Sequence, residues 1–166
     1  MRVSTITVTQ HVAAPDGLVW DLLADVAGRR EWLSTAGAVE ALTPPPFAVG
    51  TRWRETHRMP DGEQVAEEYR VDECVPGRRF VITSPGDGAA YRTSYTITPV
   101  TSGRHLGETL VTVAQHGHAE GRRARLLEVV LGGLAVRTAE GALRQELADL
   151  AAAAARRRDD PGAPAA

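Results

Sequence analysis

Two carboxylates and one imidazole share the apolar face of two adjacent predicted strands. In the strand predicted for residues 51–59, Trp53 and Met59 lie on one face and arginines lie on the other. Because side chains alternate along a strand, Glu55 and His57 are carried inward with the apolar residues. A glutamate beside a histidine in a pocket of low dielectric can move protons near neutral pH. This spacing therefore favours acid–base chemistry.

The return strand, predicted for residues 63–75, adds a third candidate. Glu67 shares its face with Tyr69 and with valines. Glu55, His57 and Glu67 are therefore the candidate catalytic residues. A buried charge is costly unless it is paired. The alternative is that a β-bulge or a strand end places these residues at the exposed rim, without a special role.

Tyrosines dominate one face of the strand predicted for residues 89–99. Tyrosine buries a large ring and keeps a hydroxyl for hydrogen bonding, which suits a pocket for an oxygenated apolar ligand. The alternative is that tyrosine simply fills a sheet well. Across the chain, the predicted ligand-lining residues are Trp53, Met59, Tyr69, Phe80, Ile82, Tyr91, Thr93, Tyr95, Val130, Leu134 and Thr138.

The elements that must position these residues follow from hydrophobic periodicity. Residues 3–12 alternate as a strand, and two short helices follow. Residues 37–115 then read as about six strands joined by short turns, ending with strands at 79–84, 89–99 and 105–115. A helical pattern covers residues 120–157. The pattern does not decide which face of the strands at 79–84 and 105–115 points inward. For 79–84 it favours Phe80 and Ile82 on the inward face.

This order, β-α-α-β6-α, predicts an α+β fold in which a curved antiparallel sheet of six to seven strands wraps around a long C-terminal helix. One helix cannot fill the concave side of such a sheet, so the remaining space is a cavity or is plugged by large side chains. Gly132 and Gly133 are read as a close packing point or bend in preference to a ligand entrance.

Composition excludes several functional classes. The chain has 166 residues, a net charge of −2, 43% hydrophobic residues and one cysteine, Cys74, which we expect to be a packing residue. It has no basic stripe for nucleic acid, no apolar run for stable membrane insertion and no signal peptide, so a cytoplasmic protein is expected. All 19 basic residues are arginine, a bias typical of high-GC bacterial genomes.

No cofactor and no metal are predicted. Without lysine there is no Schiff base or Walker-type phosphate loop, and no dinucleotide fingerprint occurs. Two histidines, His116 and His118, flank Gly117, but they lack a fixed third ligand. We interpret them as part of a strand-to-helix loop.

The stretch from Val12 to Val26, VAAPDGLVWDLLADV, followed by Trp32, resembles the opening of SRPBCC proteins, the START-related helix-grip superfamily. The resemblance is to its polyketide cyclase/dehydrase-like branch. It continues through VGTRW at 49–53, YRV at 69–71, PGRRF at 76–80 and YTITP at 95–99, and it spans residues 3–150. Chain length and the composition of the C-terminus predict one domain over residues 1–157 with a disordered tail at 158–166, and the resemblance implies a hydrophobic cavity between sheet and helix.

Family members include lipid and hormone binders, polyketide cyclases and co-chaperone-like domains, so fold alone assigns no function. We expect binding of a polyketide- or lipid-like hydrophobic small molecule. The alternatives are a cyclase, aromatase or dehydratase that uses the same cavity, and a co-chaperone-like interaction module. The sequence leaves the ligand, the reaction and the oligomeric state open.

Overall fold

The computed structural model describes residues 4–58, 62, 64–86, 89–119 and 122–160, and its side-chain description omits residues 4, 58, 85, 86, 89, 118, 119 and 122–138. Seven strands and three helices lie in these ranges. In chain order they are β1 (Ser4–Val12), α1 (Asp16–Ala24), α2 (Arg29–Trp32), β2 (Ala36–Ala41), β3 (Arg52–Arg58), β4 (Gln64–Val75), β5 (Arg79–Gly86), β6 (Ala89–Pro99), β7 (Thr109–Ala119) and α3 (Arg122–Asp159).

All seven strands form one antiparallel sheet in the order β1-β7-β6-β5-β4-β3-β2. Strands β2 to β7 are neighbours in chain order because each connects to the next by a short turn or loop. Strands β1 and β2 lie at opposite edges, so α1 and α2 cross from one edge to the other on the concave side. The predicted α+β fold, with its curved sheet and long C-terminal helix, is confirmed.

The core lies between the sheet and the helices. From α1 it takes Val19, Leu22 and Leu23, and from the second half of α3 it takes Leu143, Leu147 and Leu150. The three leucines of α3 follow one another at intervals of four and three residues, the spacing that places them on one helix face. Burying each contributes about 1.5–3 kcal/mol. The second half of α3 therefore packs on the sheet through these leucines.

Strand β7 corrects the predicted strand at residues 105–115. Residues 101–108 form turns instead, because backbone hydrogen bonds from Val100 N to Glu108 O and from Gly107 N to Val100 O close them into a loop. The strand then continues through His116 and Gly117 to Ala119, so these residues are not the predicted strand-to-helix loop.

The ambiguous strand faces are also settled by the structure. On β7, Thr109, Val111 and Val113 are buried. On β5, Phe80 and Ile82 are buried as preferred, and Phe80 pairs with Tyr95 of β6. The neighbouring Val81, on the opposite face of β5, is buried as well.

Helix α3 has 38 residues and a length of about 57 Å at 1.5 Å per residue. It runs unbroken through Gly132 and Gly133 and ends at Asp159, so the first two residues of the predicted tail are helical. Residues 161–166 of that tail lie outside the described residues. No helix in the described part of the chain is both long and apolar enough to cross a membrane.

Candidate functional site

A buried ion pair lies at the centre of the concave side. Arg29 of α2 donates from Nε to Glu55 Oε1 at 2.5 Å, and Trp53 donates from Nε1 to the same oxygen at 2.8 Å. Both charged side chains are almost fully excluded from water. Burial on its own lowers the pKa of Arg29, but the opposing charges of Glu55 and Glu146 raise it above its ordinary value. The arginine is therefore a permanent cation.

A second carboxylate joins this pair from the C-terminal helix. Glu146 of α3 accepts a hydrogen bond from the Tyr95 hydroxyl at 2.9 Å and lies 3.4 Å from Arg29 Nη2. Burial, followed by the charge of Glu146, raises the pKa of Tyr95 well above its ordinary value. The tyrosine therefore stays a neutral donor. Through these contacts Arg29 connects β3, α2 and α3 inside the protein.

His57 extends the network toward solvent. Its Nε2 lies 3.6 Å from Glu55 Oε2 and 3.2 Å from the Tyr69 hydroxyl. The Tyr69 hydroxyl in turn donates to Glu67 Oε2 at 2.6 Å, and the Ser84 hydroxyl donates to the other Glu67 oxygen. A hydroxyl has one hydrogen, so a Tyr69 that donates to Glu67 accepts from His57. This assigns a hydrogen to His57 Nε2.

The three candidate catalytic residues thus lie in one chain of contacts, but they differ in access to solvent. The Glu55 side chain is 2% exposed, whereas that of His57 is 24% exposed. Glu67 is half-buried and is already bonded by Tyr69 and Ser84. Burial, with the charges of Glu67 and Glu55, raises the pKa of Tyr69 well above its ordinary value. Of the three, His57 is therefore the group that a ligand can best reach.

Several predicted lining residues are packed against one another. Trp53 stacks on Tyr69 with ring centroids 5.3 Å apart, and Phe80 stacks on Tyr95 at 4.6 Å. Offset and stacked aromatic pairs of this kind stabilise a core beyond the area they bury. Around these pairs, the space next to the sheet is filled by aromatic rings. Ligand contact by these residues stays a prediction.

Tyr91, in contrast, is partly open to solvent. Tyr91 lies opposite Ser84 on β5 and Gly117 on β7, and 38% of its surface is exposed. Thr93, two residues along, is buried and accepts a hydrogen bond from Gln115 at 3.2 Å. Tyr91 therefore lies in the same cross-strand row as Ser84 and Tyr69 of the polar chain.

Four predicted lining residues cannot be placed: Met59 lies outside the described residues, and so do the side chains of Val130, Leu134 and Thr138. Ile82 is buried in the core beside Phe80. Cys74 is half-buried and packs against the same core. Its expected packing role agrees with this position.

Sequence reasoning missed Arg29, Ser84 and Glu146. A signal for Glu146 was present, because it follows Leu143 by three residues and therefore lies on the apolar face of α3. Arg29 likewise precedes the buried Trp32 by three residues. A charged residue on an apolar helix stripe indicates a buried partner, and here the partners lie on distant strands.

A hollow of about 560 Å³ is lined by charged residues of the outward row and by residues beside the polar chain: Arg52, Glu68, Arg70, Thr83, Arg92, Tyr69, Ser84, Ala90 and Tyr91. In the sheet register, Arg52, Arg70, Thr83 and Arg92 form one row, and they alternate with the inward residues Trp53, Tyr69 and Ser84. The arginines in this row are paired with Glu68, Asp72 and Glu73. The hollow therefore combines this self-neutralised charged row with Tyr69 and Ser84 of the polar chain and with Tyr91.

The fold is that of a helix-grip protein, and comparison with known proteins identifies the family. The family model described as polyketide cyclase / dehydrase and lipid transport matches residues 4–155. The chain therefore belongs to this family, as the resemblance implied. No protein with a curated description matches the chain.

Solved structures agree on the fold. The chain is similar to the Zhui aromatase/cyclase from Streptomyces sp. R1128, at 19% identity and a TM-score of 0.72, covering 98% of this chain and 100% of the other. TTHA0849 from Thermus thermophilus matches at 19% identity and a TM-score of 0.65, covering 90% and 99%. The di-domain aromatase/cyclase BexL, from the BE-7585A biosynthetic pathway, matches at 20% identity and a TM-score of 0.67, covering 90% and 49%.

Proposed function

We propose that the chain binds a hydrophobic, oxygen-bearing small molecule of polyketide- or lipid-like class on the concave side, between the sheet and α3. One observation carries this proposal. The hydrogen-bonded chain of His57, Tyr69, Glu67 and Ser84 lies beside the partly exposed ring of Tyr91. Polar groups converging beside an apolar ring are what a site for such a ligand requires.

The two halves of the network suit different tasks. The half around Arg29, Glu55 and Glu146 is excluded from water and joins helices to sheet, so it holds the fold. The half around His57 and Tyr91 keeps solvent access, so it is the half that a ligand can reach. The proposal therefore moves the binding site from the buried Trp53 and Tyr95 to His57 and Tyr91, which keep solvent access.

A fluorescence titration tests binding. Wild-type protein is titrated with anilinonaphthalene sulfonate, and Tyr91→Ala and His57→Ala are compared with Val75→Ala, an exposed apolar residue at the end of β4. Losing the apolar contact of the Tyr91 ring removes about 1.5 kcal/mol or more, which is about a tenfold weaker Kd. The Val75 variant keeps wild-type affinity. If the wild type and all three folded variants bind the dye with equal affinity, the proposed site is contradicted.

A second candidate function is an enzyme of cyclase, aromatase or dehydratase type. The observation that favours it is the position of His57, which is accessible and has Nε2 held between Glu55 and Tyr69. In this reading His57 moves the proton at the reacting carbon of a folded polyketone chain. Glu55 is sealed from substrate, so it acts as a positioning residue that orients the imidazole. Glu67 acts through Tyr69 in the same way.

The enzyme hypothesis is tested with a linear poly-β-ketone substrate and product analysis by mass spectrometry. His57→Gln is expected to lower turnover by about 10²- to 10⁴-fold, the usual contribution of a positioned acid or base. Tyr69→Phe removes the hydroxyl contacted by His57 and is expected to change the pH profile of turnover. Full activity in folded His57→Gln protein would exclude His57 from the mechanism. The binding proposal would then still be tested separately, by the dye titration.

The remaining parts of the proposal concern setting and partners. We infer a cytoplasmic bacterial protein whose partner is a hydrophobic small molecule, with lipids among the ligand classes to be screened. Nucleic acid is not an expected partner at a net charge of −2. Native mass spectrometry of the purified chain, with a search for a co-purified small molecule, tests ligand class and oligomeric state together.

A further inference from the structure

Two histidines and a glutamate meet on the convex side of the sheet, apart from the polar chain. His105 Nδ1 lies 2.8 Å from Glu108 Oε2, and His11 Nδ1 lies 3.8 Å from the same oxygen. The two imidazole rings are 4.6 Å apart between centroids. One potential ligand atom from each residue lies within 4.8 Å of the other two. Neither the family nor the proposed function accounts for this group.

The fold holds these residues on ordered elements. His11 belongs to β1, on the face of the exposed Thr5, Thr7 and Thr9, and it pairs with Leu110 on β7. The buried residues Ile6, Val8 and Val12 alternate with that face and point toward the core. His11 therefore cannot turn inward without a register shift that would expose the core side of β1.

The other two residues come from the loop between β6 and β7. This loop is closed by backbone hydrogen bonds from Val100 N to Glu108 O and from Gly107 N to Val100 O. Gly103 and Gly107 have φ values of 81° and 84°, a region that side chains disfavour and glycine accepts. The closed loop fixes the i, i+3 spacing of His105 and Glu108. The group is thus assembled before any ligand arrives.

The donor set and its spacing fit one class of ligand. Imidazole nitrogens with one carboxylate oxygen suit zinc and related divalent transition metals, and zinc often takes three protein ligands and one water. Bonds of about 2.0–2.1 Å in tetrahedral geometry separate ligand atoms by about 3.4 Å. The two distances to Glu108 Oε2, 2.8 Å and 3.8 Å, lie on either side of this value, and all three ligand atoms lie within 4.8 Å of one another.

We propose that His11, His105 and Glu108 form a divalent transition-metal site that prefers Zn²⁺ and keeps one position for water. The site joins the end of β1 to the β6–β7 loop, so metal binding stabilises that end of the sheet. It lies on the convex side, away from His57 and Tyr91, so the ligand proposed above binds with the same affinity with or without metal. This inference does not depend on the proposed function.

The test uses the full chain without an affinity tag, stripped of metal with EDTA. Isothermal titration with ZnCl₂ is expected to give one saturable equivalent, and Co²⁺ is expected to give visible d–d absorption at the same stoichiometry. His11→Ala, His105→Ala and Glu108→Gln each remove one ligand. Loss of a residue that only hydrogen-bonds to a metal ligand already lowers metal affinity by about 10- to 100-fold. Each variant, which loses a ligand itself, is therefore expected to bind Zn²⁺ at least about tenfold more weakly.

His116→Ala is the matched control, because His116 is a half-buried histidine of β7 whose Nδ1 lies 3.0 Å from the Thr5 hydroxyl, outside the group. It is expected to bind zinc as tightly as the wild type. Circular dichroism checks that each variant is folded, and Glu108→Gln changes only one surface side chain. Absence of saturable binding, unchanged affinity in folded Glu108→Gln or His105→Ala, or equal weakening by His116→Ala each overturns the proposal.

Discussion

Arg29 and Glu55, separated by 26 residues in sequence, form a buried ion pair at 2.5 Å between a four-residue helix and the third strand. The guanidinium also lies over the rings of Trp32 and Trp53, at 5.4 and 5.8 Å from their centroids. Cation–π contacts of this kind add to the attraction of the carboxylate. The pair therefore fixes α2 on the sheet and holds the carboxylate beside His57.

Breaking this pair from one side is expected to be costly. Arg29→Met leaves Glu55 buried without its cation, which destabilises a protein by about 3–5 kcal/mol. The double variant Arg29→Met with Glu55→Leu removes both charges and is expected to recover most of that loss. Urea denaturation followed by circular dichroism measures both.

The control is Arg144→Ala, because Arg144 forms an exposed i, i+4 pair with Glu140 on α3. Exposed pairs contribute little, so this change is expected to stay within about 0.5 kcal/mol of the wild type. A single Arg29→Met variant as stable as the wild type would show that the pair does not hold α2.

Two tyrosines are expected to resist ionisation. Burial, together with nearby carboxylates, raises the pKa values of Tyr69 and Tyr95 well above the ordinary value near 10. The folded state therefore holds these protons more tightly than the unfolded state does. Their contribution to stability is complete below about pH 10 and is lost as the pH rises above that value.

Ultraviolet absorbance of tyrosinate measures this directly. Tyr69→Phe and Tyr95→Phe are expected to leave the alkaline titration of the folded chain unchanged, and to reduce it only after unfolding in urea. The alkaline loss of stability should be smaller in each variant. A drop in the native titration amplitude near pH 10 on either substitution contradicts the burial of that hydroxyl.

Asp149 connects α3 to the chain after α2. Its Oδ2 accepts hydrogen bonds from Ser34 N at 2.9 Å and from the Ser34 hydroxyl at 2.6 Å. Burial alone raises the pKa of Asp149, but the hydrogen bonds from Ser34 outweigh it and lower the pKa below its ordinary value. The carboxylate therefore stabilises the fold above about pH 4, and this stabilisation is lost as the pH falls further.

Asp149→Ala is expected to cost about 1 kcal/mol at neutral pH, after allowance for partial solvent screening. The difference from the wild type should shrink as the pH falls below about 4. Glu140→Ala on the same helix is the comparison, since it loses only the exposed contact with Arg144. If the stability difference between Asp149→Ala and the wild type does not change with pH, the loss comes from packing of the side chain and not from the charge of its carboxylate.

Cys74 is expected to react slowly. Burial raises the pKa of its thiol, and the thiolate is the reactive form. Labelling with a chromogenic disulfide near neutral pH should therefore be slower in the folded chain than in urea, and Cys74→Ala should keep wild-type dye affinity. Labelling as fast as in the unfolded chain would contradict its packing against the core.

The sequence predicted the sheet well where one side of a strand is apolar. The alternation around Trp53 and Tyr95 placed both residues inward, and both are buried. It failed at residues 105–108, where a loop closed by backbone hydrogen bonds replaces the expected strand. Periodicity reports only which side chains avoid water, so a polar segment with mixed faces gives no such signal.

Local pattern by itself determined the order of the elements, the inward faces of β3, β4 and β6, and the family resemblance, because these depend on the spacing of neighbours along the chain. Tertiary structure decided which inward groups meet. Arg29 and Glu146, 117 residues apart in sequence, reach the same site from two helices, and His11 of β1 meets Glu108 immediately before the neighbouring β7. Such pairings depend on sheet order and helix placement, and these are set by packing of the whole core rather than by any short segment.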